Sequence, residues 1–181
     1  GGVAVIKAGA ATETEMKYIK LKIEDAVAAT KAALAEGIVA GGGVALFKAA
    51  TLMRMQWEEQ SATEKRKVTP DQQAAYTILL NALEEPLAQI ATNAGKRVGE
   101  ITSKIKERIQ NDPKTNAGYD ALRDKIVADM IREGIVDPVK VTRSALQNAV
   151  SVAAMFLTTE AAIAELPKKE EKMPPVPHED Y

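Results

Sequence analysis

Apolar side chains recur at helical spacing along most of this 181-residue chain. The first such run follows Thr12-Glu-Thr-Glu15, which is typical of a capping box in which Thr12 and Glu15 satisfy the free amides at a helix start. Steps of three or four then predict a helix that runs to about Ala35 and is closed by Gly37. Its apolar stripe consists of Met16, Ile19, Ile23, Val27, Thr30 and Leu34.

Further helices are predicted downstream by the same periodicity. Val44–Trp57 is apolar on most sides at its start, which favours burial there. Thr69-Pro-Asp-Gln72 combines an N-cap, a proline at the first helical position and an acceptor three residues on, so another helix begins there. The remaining predicted helices are Val98–Ile109, Ala121–Glu133 closed by Gly134, and Val139–Leu157 with Asp137 and Pro138 as N-cap and first residue.

Strand character is confined to the two ends of the chain. Val3–Lys7 is a short β-branched run, and Thr158–Leu166 fits a strand or a helical extension. Glu58–Lys67 and Asn111–Gly118 are predicted loops, and the charged, proline-rich Pro167–Tyr181 is predicted to be disordered. The pattern therefore predicts a mainly α fold, a helical body with a β segment at its N-terminus.

Composition excludes several kinds of function. The net charge of −1 provides no basic face for nucleic acid, and no apolar run approaches the roughly 20 residues of a membrane span. Cysteine is absent and the single His178 lies in the tail, which argues against zinc and histidine-based catalysis. The chain opens on Gly1 and on a strand without a partner, so we expect it to be a piece of a longer protein.

The triple glycine Gly41–Gly43 is the first candidate for chemistry. Bare backbone amides at the start of a helix can approach a nucleotide closely. Three glycines without a lysine or a Gly-x-Gly-x-x-Gly form are also typical of a tight turn in which backbone packs on backbone. The spacing by itself favours the tight turn.

Three carboxylates raise similar alternatives. Asp25 lies on a face of small residues, where it could orient a water over a ligand or simply pair with Lys22. Asp137 is an ordinary helix cap by its position, although a cap carboxylate can also reach a ribose hydroxyl. Tyr119 and Asp120 could stack on a base, but their composition favours a turn.

Four segments in this order resemble the C-terminal part of the 60-kDa group I chaperonins, the GroEL type. They are Gly2-Val-Ala-Val-Ile-Lys-Ala-Gly-Ala-Ala-Thr-Glu13, Ile23-Glu-Asp-Ala26, Glu36-Gly-Ile-Val-Ala-Gly-Gly-Gly-Val-Ala-Leu46 and Asp137-Pro-Val-Lys-Val-Thr-Arg-Ser-Ala-Leu146. The resemblance covers roughly residues 1–167 and includes Thr158-Thr-Glu160. It implies a hinge at Gly1-Gly2, an intermediate-domain segment at 1–36, and the C-terminal half of an equatorial ATP-binding domain at 37–166.

The resemblance also implies roles for individual residues. Asp25 matches the carboxylate that supports ATP hydrolysis, and eight further positions, listed below, match contacts to the nucleotide. Tyr119-Asp120-Ala121 matches less closely, because the family usually has Asn where Asp120 stands and the following helix is one residue longer here. Residues 161–166 match a strand that joins the sheet of a neighbouring subunit. The nucleotide contacts are Gly41, Gly42, Ile90, Tyr119, Asp120, Ala121, Ile135 and Asp137.

The family's Gly-Asp-Gly-Thr-Thr motif, which grips phosphates and holds Mg²⁺, is absent from this sequence, as is its Gly-Pro-Lys-Gly loop. No metal ligand is therefore assigned, and we expect the chain by itself not to hydrolyse ATP. The parent would be an ATP-driven folding chaperonin with Mg²⁺, a homo-oligomeric ring, a lid co-chaperonin and unfolded client proteins. The alternative is a non-enzymatic helical interaction module or self-associating scaffold, with apolar faces such as that of Val44–Leu52 exposed.

With no visible export signal, a bacterial cytoplasm is expected, and an organelle matrix is the alternative.

Overall fold

The computed structural model describes residues 1–60 and 67–166, which form helices joined by short strands. Within these ranges the fold is mainly helical, as the sequence predicts. The chain divides into two compact units, Gly1–Leu146 and Gln147–Tyr181. The helices are α1 (Glu13–Glu36), α2 (Val44–Glu59), α3 (Pro70–Asn93), α4 (Val98–Asn111) and α5 (Val139–Leu157), and the strands are β1 (Ile38–Ala40), β2 (Gly118–Asp120), β3 (Lys125–Val127) and β4 (Val136–Pro138).

Helix α2 is the centre of the first unit. Three of its buried residues, Val44, Phe47 and Ala50, each belong to a different apolar cluster. Val44 packs with β1 and the segment after β3, Phe47 with α3 and α4, and Ala50 with Leu80 and Leu83 of α3. The expectation that Val44–Leu52 exposes an apolar face is therefore wrong, because this chain itself supplies partners for α2.

Two antiparallel strand pairs surround the start of α2. β1 pairs with β4, so that Val39 lies opposite Asp137, and β2 pairs with β3 as a hairpin. Asp137 is thus a strand residue and not the predicted N-cap. The backbone before Pro138 avoids the helical conformation, so α5 begins at Val139.

Residues 121–133 do not form the predicted helix. The buried Asp120 accepts hydrogen bonds from the backbone N–H groups of Leu122 and Arg123, at 3.0 and 3.1 Å. Further along the segment, the Asp129 carboxylate accepts a hydrogen bond from the Ile131 N–H in the same way, at 2.9 Å. The Asp129 side chain takes up the Ile131 amide, which a helix over residues 121–133 would use, and the segment folds as turns around a hairpin. Tyr119 and Asp120 themselves lie in strand β2, directly before the turn, so the interpretation of these two residues as a turn is wrong.

Helix α1 has the predicted ends. Thr12 Oγ1 accepts from the Glu15 N–H at 3.2 Å, while the Glu15 carboxylate accepts from Ala11 instead of Thr12. Gly37 closes the helix with φ at +86°, a conformation that suits glycine. The chain then turns into β1, so Gly37 is the joint between α1 and the rest of the first unit.

The predicted strand at Val3–Lys7 is wrong, because this segment is exposed and pairs with no described strand. Thr158–Leu166 is neither a strand nor a continued helix within the described residues, since α5 ends at Leu157. Most of the predicted Glu58–Lys67 loop and all of the Pro167–Tyr181 tail lie outside the described residues.

Candidate functional site

The triple glycine forms the loop between β1 and α2, and two of its members pack on backbone. A Cβ on Gly41 would lie 3.0 Å from the Val136 backbone, and the Gly41 N–H donates to the Ile135 carbonyl at 3.0 Å. A Cβ on Gly43 would lie 2.6 Å from the Leu87 backbone nitrogen of α3. The tight-turn interpretation is therefore confirmed for Gly41 and Gly43.

Gly42 is turned differently, toward the carboxylate of Asp137. Its φ of +67° is left-handed, and its backbone N–H lies near the carboxyl group of Asp137. Burial raises the pKa of the Asp137 carboxyl, and the nearby Gly42 N–H opposes that rise. Asp137 is half-buried in β4, so part of the carboxylate remains free to accept a hydrogen bond from a ligand hydroxyl.

Two apolar candidates border this loop at different points. Ile135 packs against the cluster of Ala40, Val44 and Met130, directly before β4. Ile90 lies on α3, three residues after the point where Leu87 meets Gly43, and packs against the cluster that contains Phe47. Each side chain is only partly buried, which leaves some apolar surface for a ligand.

The hairpin candidates are mostly committed to internal contacts. Tyr119 is 3 % exposed, and its hydroxyl donates to Asp124 Oδ1 at 3.0 Å. Burial and then the Asp124 contact raise the pKa of Tyr119, while Lys96 at 2.5 Å holds the pKa of Asp124 low. The Asp120 carboxylate is occupied by its own turn. Ala121 alone is exposed, so any contact from this segment would come from Ala121 or from backbone.

Asp25 lies far out on α1. It is exposed, and among the described residues none forms an ion pair with it. Lys22, its expected partner, lies over the Tyr18 ring at 4.9 Å instead. Eleven positions separate Asp25 from Glu36, so its backbone lies about 17 Å along the helix from the end that adjoins Gly37. α1 would have to swing about that joint to bring Asp25 toward the glycine loop.

The structure thus brings Gly41, Gly42, Ile135 and Asp137 into one cluster, and leaves Asp25 apart from it. Sequence reasoning missed Met130, whose side chain lies beneath Gly42. No local pattern marks Met130, because it falls in the segment that resembles a helix.

Within residues 1–60 and 67–166, no three His, Cys, Asp or Glu side chains group as a metal site would require. None of the described helices has the length and apolar character needed to cross a membrane.

Comparison with known families gives one match. Residues 1–167 match the model of the TCP-1/cpn60 chaperonin family. The match includes every candidate residue discussed above, and it covers all of the described residues.

Proposed function

This chain belongs to the TCP-1/cpn60 chaperonin family, and we propose that it supplies the sugar-and-base side of that family's ATP site. The family has a chaperonin-type protein-folding role, binds ATP and has ATPase activity in the intact protein. The finer assignment to the group I, GroEL type, and to an intermediate segment at 1–36 followed by half an equatorial domain at 37–166, is part of the proposal.

The observation that supports the site is the contact between Gly42 and Asp137. A half-buried carboxylate lies next to a left-handed glycine loop at the beginning of a helix. Gly41 and Gly42 would bring backbone close to the nucleotide, and Asp137 would accept from a ribose hydroxyl. Ile90 and Ile135 would offer apolar surface to the base, with Tyr119, Asp120 and Ala121 shaping the wall beside it.

Asp25 would act on hydrolysis and not on binding. A carboxylate can orient a water and accept its proton when it lies within hydrogen-bond reach. Asp25 is about 17 Å from the joint at Gly37 along α1, so that role depends on α1 moving. Mg²⁺, which is usual in this family, would neutralise phosphate charge. The candidate residues would suit the sugar and base, and the described parts of the chain contain no carboxylate cluster for that ion.

The ring contacts are proposed from exposed apolar surface. Val150, Met155 and Phe156 of α5 are 50–71 % exposed, and Ile163 is fully exposed in the segment that follows. Neighbouring subunits of a homo-oligomeric ring would cover such surface. Clients and a lid co-chaperonin would bind elsewhere in the parent protein, and a bacterial cytoplasm is the proposed location.

Nucleotide binding tests the site directly. We expect Asp137→Asn to weaken ADP binding by about ten- to hundredfold, because a hydrogen bond to a charged acceptor is lost. The matched control is Asp71→Asn, an exposed carboxylate on α3. Titration of the 15N-labelled chain with ADP gives both affinities. Equal affinities for the two variants would refute the ribose role of Asp137.

Hydrolysis is tested separately. We expect the purified 181-residue chain to show no Mg²⁺-dependent ATP turnover, since the phosphate-gripping motif is absent from its sequence. In the assembled parent protein, Asp25→Ala should abolish most turnover and leave ADP binding unchanged. ATP turnover by this chain that persists in Asp25→Ala would refute both the expected inactivity of the chain and the role of Asp25.

The exposed apolar residues of α5 also favour the alternative, a self-associating scaffold without enzymatic activity. Sedimentation velocity discriminates between the two. Concentration-dependent oligomers with no nucleotide response would favour the scaffold, whereas nucleotide binding that requires Asp137 would favour the chaperonin site.

A further inference from the structure

One side chain, Met130, fills the space beneath the glycine loop. It is fully buried, at 0 % exposure, in the cluster with Ala40, Val44 and Val127. Its position is set by this packing together with backbone hydrogen bonds on both sides of the residue.

Met130 touches two glycines that belong to different walls of the site. A Cβ on Gly42 would lie 3.2 Å from Met130 Cε, and a Cβ on Gly118 would lie 2.5 Å from Met130 Cγ and 2.7 Å from Sδ. Gly118 begins β2, the strand that carries Tyr119 and Asp120. The thioether side chain therefore lies between the loop beside Asp137 and the hairpin, and either glycine would lose this contact if it carried a side chain.

The backbone of Met130 connects the same two regions. The Met130 N–H donates to the Asn116 carbonyl at 2.9 Å, just before β2. The Met130 carbonyl accepts from the Ile135 N–H at 2.9 Å, and the Ile135 carbonyl accepts from the Gly41 N–H at 3.0 Å. A continuous series of hydrogen bonds thus leads from the hairpin through Met130 to the glycine loop.

We propose that Met130 is a positioning residue of the nucleotide site, which holds the Gly41–Gly42 backbone in register with the β2–β3 hairpin. It contacts no ligand itself and acts through the left-handed Gly42, by holding the loop next to β4 and Asp137. A flexible thioether suits this place, because it fills the irregular gap between two close backbones. The proposal rests on the proposed nucleotide-binding function.

The test compares three substitutions in the full chain. Met130→Val removes the Sδ–Cε end that reaches Gly42 but keeps a buried stem near Gly118. Met130→Ala removes both contacts, and Met130→Leu approximately conserves the volume. We expect ADP affinity to fall about tenfold or more for Met130→Ala, because small misplacements of binding groups are costly. The ADP affinity of Met130→Val should lie between those of Met130→Ala and Met130→Leu. The ADP affinity of Met130→Leu should stay within about twofold of wild type.

Leu80→Ala is the control for general destabilisation. Leu80 is 2 % exposed and packs with Ala50 and Leu83, in a cluster separate from that of Met130. It should lower the melting temperature about as much as Met130→Ala does and leave ADP affinity unchanged.

A second readout does not depend on nucleotide. Hydrogen exchange and the 15N shift of the Gly42 amide report whether the glycine loop keeps its conformation beside Asp137. We expect faster exchange in Met130→Ala and Met130→Val, and wild-type exchange in Leu80→Ala. If wild type binds no ADP, the proposed nucleotide function fails while this readout still tests Met130. Unchanged Gly42 exchange in Met130→Val and Met130→Ala, or an equal loss in Leu80→Ala, would overturn the positioning role.

Discussion

Helices α1 and α3 are both 24 residues long, and both begin at a threonine whose hydroxyl accepts a backbone amide. Both sequences carry a single apolar stripe. Yet α3 buries Leu80, Leu83, Leu87 and Ala91, whereas α1 buries no residue. An apolar stripe therefore specifies which face of a helix seeks a partner, but the rest of the chain decides whether that partner exists.

The difference lies in how each helix is held. α3 contacts α2 and α4 along its length, and its backbone at Leu87 lies against Gly43. α1 is held at one end, where the Val139 N–H donates to the Gly37 carbonyl at 3.1 Å and Arg143 forms a two-point ion pair with Glu36. A helix attached in this way can change direction about its end without disturbing a core. The proposed role of Asp25 requires that property.

The largest expected effect comes from the contact that fixes α3 to α2. Gly43→Ala would place a methyl 2.6 Å from Leu87 nitrogen at a φ of +76°, so we expect a loss of about 4 kcal/mol in the free energy of unfolding. Denaturant unfolding measures it. Gly99→Ala in α4, where a Cβ meets nothing within 4 Å, should instead stabilise by up to about 1 kcal/mol. Similar losses for both variants would show that close backbone packing is not the cause.

The next effect compares a buried leucine of α3 with an exposed leucine of α1. Leu87→Ala, at 0 % exposure, should cost about 3 kcal/mol because it leaves a cavity between α3 and its neighbours. Leu21→Ala on α1, at 65 % exposure, should stay within about 0.5 kcal/mol of wild type. Denaturant unfolding of both variants provides the comparison. A large cost at Leu21 would mean that α1 is packed in solution, and the contrast between the helices would fail.

The smallest effect concerns the end of α1. Hydrogen bonds from the Arg143 guanidinium to the Glu36 carboxylate hold the pKa of Glu36 below its ordinary value. A lowered pKa means that the pair stabilises the attachment above the unfolded pKa of about 4.3, and that this contribution is lost as pH falls through the lower folded pKa. Acidification should therefore loosen α1 at Gly37 while the body stays folded.

The amide shifts of Gly37 and Val139, followed from pH 6 to pH 3, measure this loosening. Glu36→Gln should remove the transition. Glu24→Gln, which changes an exposed carboxylate on the same helix, should leave it in place. An identical titration in the Glu36→Gln protein would contradict the assignment to this ion pair.

Much of the helical content could be read from local signals. Thr69-Pro70 and Gln72 form the predicted capping box, with bonds of 3.0 and 3.2 Å, because such side chains satisfy amides of their own helix. The same local reasoning failed for 121–133. There Asp120 and Asp129 take up backbone amides, and the outcome depends on a buried hairpin that periodicity does not describe.

The candidate site shows the same division. The triple glycine and Asp137 were identified from the sequence by resemblance. The strand position of Asp137 and the role of Met130 were not. Asp137 was expected to cap a helix, but the pairing of β1 with β4 puts it in a strand beside Gly42. Met130 had no signal at all, since its neighbours Gly42 and Gly118 are 88 and 12 positions away in sequence.

By itself, the sequence determined the five helices of the described residues, the caps of α1 and α3, the joint at Gly37 and the kind of protein to which the chain belongs. These depend on interactions between residues a few positions apart, or on an ordered set of motifs. Only the tertiary structure decided which stripe is buried, which glycines pack on backbone and which one lies beside Asp137. Those outcomes depend on groups brought together from distant parts of the chain, and the free energy of such contacts is set by partners that a local pattern does not contain.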